Sequence, residues 1–174
     1  MATKQTHVQS NVIRYLVYFD GKLVEDVTSY TPPARRYKTT SIQSAGMSGD
    51  VNAANQANIE AMESTLAHNN GVNTHLLLTP GIHTLEVRTV RQKYNVAKSR
   101  MEHERITWRD RVQHVSRDPG SIEANNPYGN TDKFSVVRHE EIINGKQTRL
   151  DDIPNGKLVT NGVSATDEID NLLK

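Results

Sequence analysis

The stretch "VIRYLVYFDGKLVEDVTSY", Val12 to Tyr30, constrains the fold of this 174-residue chain more than any other. Two runs rich in β-branched and aromatic residues flank Asp20-Gly21, a dipeptide that accepts the positive φ angles of a tight hairpin turn. Pro32-Pro33 then removes two ladder donors and starts a new segment. The chain therefore opens as antiparallel β structure.

The same punctuation recurs downstream. Arg35 to Ser44 reads as a polar strand. "TPG", Thr79 to Gly81, is a breaker, and "IHTLEVRTVRQKY" after it alternates Ile82, Leu85, Val87 and Val90 imperfectly with polar residues. "ERITWRDRVQHV" alternates more cleanly and places Ile106, Trp108, Asp110 and Val112 on one face. Ser116 to Asp132 carries Pro-Gly, Asn-Pro and Tyr-Gly-Asn and reads as a loop. "KFSVVRHEEIINGKQTRLDDI" is a strand pair joined near Asn144-Gly145. The chain closes with two Asn-Gly turns and a short helix after Ser164 or Thr166. The expected fold is mainly β (α+β): one domain, 1–174, of small sandwich or barrel-like form, with hairpins, an extended loop and a short helix.

Asn52 to Asn70 is the one region where two rules conflict. Asn52 as cap, several alanines, Ile59, Met62 and Leu66 near one face and Gly71 as terminator favour a helix. As a strand, Met62, Ser64 and Leu66 point one way while Glu63, Thr65 and Ala67 point the other. Propensity favours the helix by only a few tenths of a kcal/mol per residue, and sheet pairing routinely overrides such margins. We expect a strand from about Ile59 to His68.

Composition limits the chemistry. The chain has no cysteine, which excludes disulfides, thiolate zinc sites and cysteine nucleophiles. Hydrophobic residues make up 35 % and aromatic residues 5 %, so a large self-sufficient core is hard to assemble, which favours either disordered segments or a protomer that finishes its burial against neighbours. Residues 1–11 are polar and lack the apolar centre of a signal peptide. No apolar run approaches the roughly 20 residues that span a bilayer, so a soluble chain made in the cytoplasm, without membrane insertion, is expected. The formal net charge of +1 gives no strong pull toward nucleic acid. The span Arg88 to Arg117 nonetheless holds nine Lys or Arg against three acidic residues. It reads as the solvated side of two antiparallel strands or, alternatively, as the face of a small β-rich nucleic-acid-binding protein, and a protein–protein docking surface is an equally good use of those charges. Only Tyr94 and Trp108 could stack on bases there.

No site of reaction stands out. His139-Glu140-Glu141 begins like a zincin motif, but Ile143 stands where the second histidine belongs. His68, His75 and His83 lack ligand spacing, and surface positions are expected for the histidines. Gly46-Met47-Ser48-Gly49 is followed by no Lys-Ser or Lys-Thr pair to meet phosphate. No Gly-x-Ser-x-Gly elbow occurs. Asp151-Asp152 could bind a cation, but such a pair more often ends a strand. Neither catalytic residues nor cofactor or metal sites are expected.

Taken in order, "YLVYFDGKLVEDVTSYTPP", "YKTTSIQSAGMSGDV", "IEAMESTLAHNNG", "FSVVRHEEIINGKQTRLDDI" and the late "NGV" resemble the major tail tube protein of contractile-tailed bacteriophages and the tubes of R-type bacteriocins. Order, spacing and chain length carry this resemblance from about Val12 to Lys174. The departures are Asn95 to Glu104 and the acidic tail "SATDEIDNLLK". The resemblance implies a structural, non-enzymatic chain of the virion tail, assembled in the host bacterial cytoplasm. It implies homo-hexameric rings whose protomers share a β-barrel and stack into a tube inside a contractile sheath. Implied partners are the sheath protein, a tape-measure protein, the baseplate hub and the tail terminator, with DNA passing through the lumen. Residues 1–11 become an N-terminal arm, 45–56 an extended inter-subunit loop and 164–174 a C-terminal tail. In that loop Ala45, Gly46, Met47, Ser48, Gly49, Asp50 and Val51 would reach a neighbouring subunit, with the glycines permitting unusual backbone angles and Met47 an adaptable anchor. Glu63 and Thr65 would face the channel, and Met62 and Leu66 the subunit core.

Overall fold

The computed structural model describes residues 6–44, 46, 48–69 and 74–172. Twelve strands appear in chain order: β1 (His7–Phe19), β2 (Lys22–Val24), β3 (Val27–Thr31), β4 (Tyr37–Ile42), β5 (Val51–Ile59), β6 (Met62–His68), β7 (His83–Asn95), β8 (Arg100–Pro119), β9 (Asn130–Ile143), β10 (Lys146–Asp152), β11 (Lys157–Thr160) and β12 (Val163–Ser164). A 3-10 turn occupies His75–Leu78, and the single helix described, α1, spans Asp167–Leu172. The structure is mainly β, as expected.

Three hairpins turn on the predicted dipeptides. Asp20-Gly21, Asn144-Gly145 and Asn161-Gly162 each hold both central residues at positive φ, which matches the right-handed twist of the flanking strands. The first turn is also knitted to β7: the Asp20 carboxylate accepts from the Thr84 N–H at 2.8 Å and from His83 Nδ1 at 2.6 Å. These contacts, the Thr84 bond first, hold the Asp20 carboxyl below its ordinary value.

The strand expected to run through "KLVEDVTSY" is broken. Asp26 takes φ +57°, and the chain leaves β1 after Val24 to pair with β6 instead, Val27 opposite His68 and Tyr30 opposite Leu66. Nine of the strands join β3 in a ten-stranded sheet whose main path is β12-β11-β10-β9-β8-β7-β1-β2. Strand β9 is its fork. One edge pairs with β8 throughout. The other pairs with β6 over Asn130–Val136 and with β10 over Arg138–Ile143. Val137 falls at the register shift between these two regions.

Around the fork the sheet curls without closing. Its concave side holds the core: Val17 and Phe19 of β1, Val24, Met62 and Leu66, Leu77, Leu85 and Val87, Val112, and Phe134 and Val136. Phe19 and Phe134 pack with ring centroids 6.4 Å apart. Ile106, Asp110 and Val112 share the buried face of β8, with Trp108 half-buried among them, as the alternation predicts.

Strand β6 resolves the helix–strand conflict. Met62, Ser64, Leu66 and His68 are buried, while Glu63 is exposed and Thr65 and Ala67 are half-buried. Ile59 belongs to β5 and Glu60-Ala61 separate the two strands. The pairing that overrides helix propensity comes from β3 and β9 of the same chain, so no neighbouring subunit is needed for it. The predicted loop Ser116–Asp132 is also shorter. Strands β8 and β9 run on to Pro119 and from Asn130, and the Gly120 N–H closes the loop onto the Gly129 carbonyl at 2.8 Å. A Cβ on Gly120 would lie 2.4 Å from that oxygen, which explains the glycine. The supposed N-terminal arm 1–11 is strand from His7 on, paired with β7 up to Asn95.

Leu66 is fully buried at the centre of this core whereas Leu172 is 81 % exposed. Leu66→Ala is expected to lower unfolding free energy by about 2–5 kcal/mol, and Leu172→Ala by less than about 0.5 kcal/mol, measured by urea titration of each.

Candidate assembly surfaces

Strands β4 and β5 pair only with each other, Ile42 opposite Val51 and Tyr37 opposite Ile59. They form an arm that extends the β3–β6 hairpin away from the main sheet. Nearly all its side chains are exposed or half-buried, and an isolated two-stranded ribbon of this kind is marginal in water.

The base of the arm is pinned. Arg35 reaches the buried Asp151, and also donates to Thr160 Oγ1 at 2.6 Å and to the Val159 carbonyl at 3.2 Å. Arg149 donates to the Pro33 carbonyl at 3.2 Å, and the Glu60 N–H to the Arg36 carbonyl at 2.8 Å. Toward its tip, Ile42 is 48 % and Val51 50 % exposed. Of the expected inter-subunit loop, Val51 to Gln56 is strand rather than loop. Gly46 takes φ +95°, whereas Gly49 does not adopt a positive φ. Ser48, Gly49 and Asp50 are exposed, and Gln43 donates to Asp50 at 2.7 Å. Ala45 and Met47 lie outside the described residues.

A second unfinished edge lies where β3 leaves β1. Only Val17–Phe19 of β1 pair with β2, and among the described residues no strand pairs with that edge of β1 from Val8 to Leu16. Among the described residues no strand pairs with the outer edge of β3 either. Tyr15 Oη donates to the Val27 carbonyl at 2.9 Å across the apex of the gap. Beyond it opens a cleft of about 270 Å³ lined by Val12, Tyr15, Tyr30, Val87, Thr89 and Trp108. Exposed Val8, Val12, Ile13 and Leu16 continue this apolar margin along β1.

The outward side of β6 and the first half of β9 is polar. Glu63 pairs with Lys133 at 2.9 Å, and Thr65 and Ser135 lie beside them in register. Met62 and Leu66 face the opposite way, into the core.

The basic span forms the β7–β8 hairpin, and its charges are largely matched. Arg91 and Lys93 meet Glu104 at 2.6 and 3.4 Å. Lys98 and Arg100 meet Glu102, Arg88 and Arg109 meet Glu86, and Arg117 meets Asp132. The hydrogen bond from Asn95, then the charges of Lys98 and Arg100, hold the Glu102 carboxyl down to about 2. A face so neutralised has little unpaired charge to exchange for phosphate counterions.

Two histidines overturn the expectation that all lie on the surface: His68 and His139 are buried. The Asp132 carboxylate is the hub of one interior cluster. Its Oδ1 accepts from Arg117 Nε at 2.8 Å and His114 Nε2 at 3.0 Å, and its Oδ2 from His68 Nε2 at 2.8 Å and Arg117 Nη2 at 2.9 Å. Four donors fill the four lone-pair positions of one carboxylate. In the other cluster Asp110 accepts from His139 Nδ1 at 2.6 Å and from Tyr30 Oη. Burial, then Asp110, push the Tyr30 hydroxyl well above its ordinary value. The two clusters tie β3, β6, β8 and β9 together. Asp151 likewise ends its strand buried against Arg35 and Arg149. Among the described residues, no group of three or more His, Cys, Asp or Glu could hold a metal ion, and no helix is long and apolar enough to cross a membrane.

Burial alone would raise the Asp132 carboxyl, but Arg117, His68 and His114 together hold it below its ordinary value of 3.8. A depressed native value stabilises the fold above the unfolded value, and that contribution is lost as pH falls through the native one. Asp132→Asn is therefore expected to cost about 3–5 kcal/mol at neutral pH, by leaving Arg117 uncompensated. The gap between wild type and variant in urea titrations should narrow as pH drops below about 4.

The phage tail tube protein FII family matches the chain over residues 10–173. Among solved structures, a chain of the anti-feeding prophage cap, the AFP tube terminating cap, is 15 % identical with a TM-score of 0.56, covering 81 % of this chain and 98 % of that one. A chain of the PVC sheath/tube terminator of an extracellular contractile injection system, in the extended state, is 12 % identical with a TM-score of 0.54, covering 76 % and 95 %. A chain of the PVC sheath-tube complex, also extended, is 14 % identical with a TM-score of 0.50, covering 74 % and 87 %. At these identities the likeness is one of fold. No curated protein matches the chain.

Proposed function

The chain belongs to the phage tail tube protein FII family, and from that premise we propose that it is the building block of an inner tail tube, assembled as stacked six-membered rings. The observation that carries this reading is the unfinished protomer: an arm whose two outer edges pair with no strand among the described residues, and a sheet that curls without closing. Unpaired edges invite pairing with another chain, and a closed ring removes them. Head-to-tail contacts that close by rotation give the ring, and stacking gives the tube.

In this reading the arm tip, Ala45 to Val51 with Ile42, reaches the neighbouring subunit. The polar strip of Glu63 and Thr65 faces the channel. Its charge is balanced by Lys133, so a polyanion or a tape-measure protein would slide past without strong attraction. The role is structural rather than enzymatic. The tube would sit inside a sheath, between baseplate hub and terminator, as a component of the virion tail assembled in the host cytoplasm. The names of the sheath-tube and terminator structures whose fold it shares support that setting.

Electron micrographs of purified protein, with and without a nucleating baseplate, test the proposal. Rings or hollow tubes are expected, and a monomer under both conditions would falsify it. Ile42→Asp/Val51→Asp should leave the protomer folded, with its urea midpoint unchanged, while abolishing tubes in the same micrographs.

A further inference from the structure

The outward face of the central strands carries its charges in cross-strand rows. In one row Glu86, Arg109 and Glu140 alternate in sign across β7, β8 and β9, with Arg109 3.3 Å from Glu86 and 3.5 Å from Glu140. The adjacent row runs Thr84, Arg111, Arg138, Asp152 across β7 to β10. Here two arginines stand directly opposite each other, and like charges in register oppose strand pairing.

The carboxylate at the end of that row does not resolve the conflict. Asp152 accepts the Asn155 side-chain amide at 3.0 and 2.9 Å, while Arg138 Nε lies 3.7 Å away, beyond hydrogen-bond reach. That Nε is buried without an acceptor. The Arg111 guanidinium makes no ion pair among the described residues. Both arginines border a cleft of about 270 Å³ at the β9 fork, whose other walls are Ile82, Val137, Asp152, Pro154 and Asn155. Ile82 is 60 % exposed. The cleft thus combines two guanidiniums, answered by the single carboxylate of Asp152, with an uncovered apolar wall.

The tail of the same chain has the complementary chemistry. Helix α1 carries Asp167, Glu168 and Asp170, has no basic residue in its last turn and buries none of its residues. Ile169 and Leu172 are 44 % and 81 % exposed. Its carboxylates make no ion pair among the described residues. Among the described residues the helix is held at its start, where Ser164 Oγ accepts the Asp167 N–H at 3.2 Å.

We propose that α1 of one copy docks into the Arg111–Arg138 cleft of a neighbouring copy. Its acidic residues meet the two guanidiniums, and Ile169 and Leu172 cover Ile82 and Pro154. The inference rests on the assembly reading above and names one of its contacts. Cleft and helix are different patches of one chain, so the contact is head-to-tail and compatible with a ring or a stack.

The absence of native cysteine permits a direct test. Single variants Ile82→Cys and Ile169→Cys, mixed before assembly and oxidised, should give a dimer-sized band on a non-reducing gel that neither variant gives alone. Tubes without that band overturn this inference and leave the tube reading standing. Closure within single chains of the double variant also overturns it, because the helix then serves its own cleft. A wild-type chain that forms no tubes and mixed variants that form no cross-link overturn both. In parallel, Arg111→Glu should raise the concentration needed for assembly by about tenfold or more, because like charges then face each other. Asp170→Arg should restore it in combination. An Arg111→Glu chain that assembles as wild type also overturns the contact.

Discussion

Strand β9 is the constraint on which the rest of the molecule depends. A strand has two edges, and one of β9's is fully used by β8. The other serves β6 for its first half and β10 for its second, with the exchange at Val137. The lower branch draws β6 and β3 across the core, so that β3 cannot stay beside β1. From this follow the cleft between β1 and β3 and the arm that continues the β3–β6 hairpin. The upper branch carries β10 to β12 and the tail helix.

The interior is held by polar chemistry to an unusual degree for so small a core. Asp132 and Asp110 are fully buried, and each spends its lone pairs on donors from other strands. Such clusters add less net stability than apolar packing of equal volume, but they tolerate only one arrangement of their strands. A chain with modest apolar content can thereby hold a single register. The same modesty leaves apolar and unpaired surface outside: the β1 margin, the arm tip, the helix face.

Those exposures occur on parts that a single protomer does not complete, and assembly gives them a common explanation. The charged β7–β8 hairpin does not need one, because its arginines and lysines are mostly answered within the chain. Of the two functional classes open at the level of sequence, self-assembly uses features the structure leaves unfinished. Nucleic-acid binding would use features it has already satisfied.

What the sequence by itself determined was local. Asp20-Gly21 and two Asn-Gly pairs located hairpins because positive φ is a property of those residues and their immediate neighbours. Alternation assigned the faces of β6 and β8, and Ser164 or Thr166 marked the start of the helix. Tertiary structure alone decided which strands meet. Asp26 breaks a run that reads as one strand, because β6 offers β3 a better partner than β1. His68 finds Asp132 across 64 positions, and Arg35 finds Asp151 across 116. No spacing rule reaches such distances, so buried histidines read as surface ones and the start of β5, Val51 to Gln56, as part of an extended loop. Side-chain periodicity records which way a residue points, whereas only the closed set of strand pairings determines what it points at.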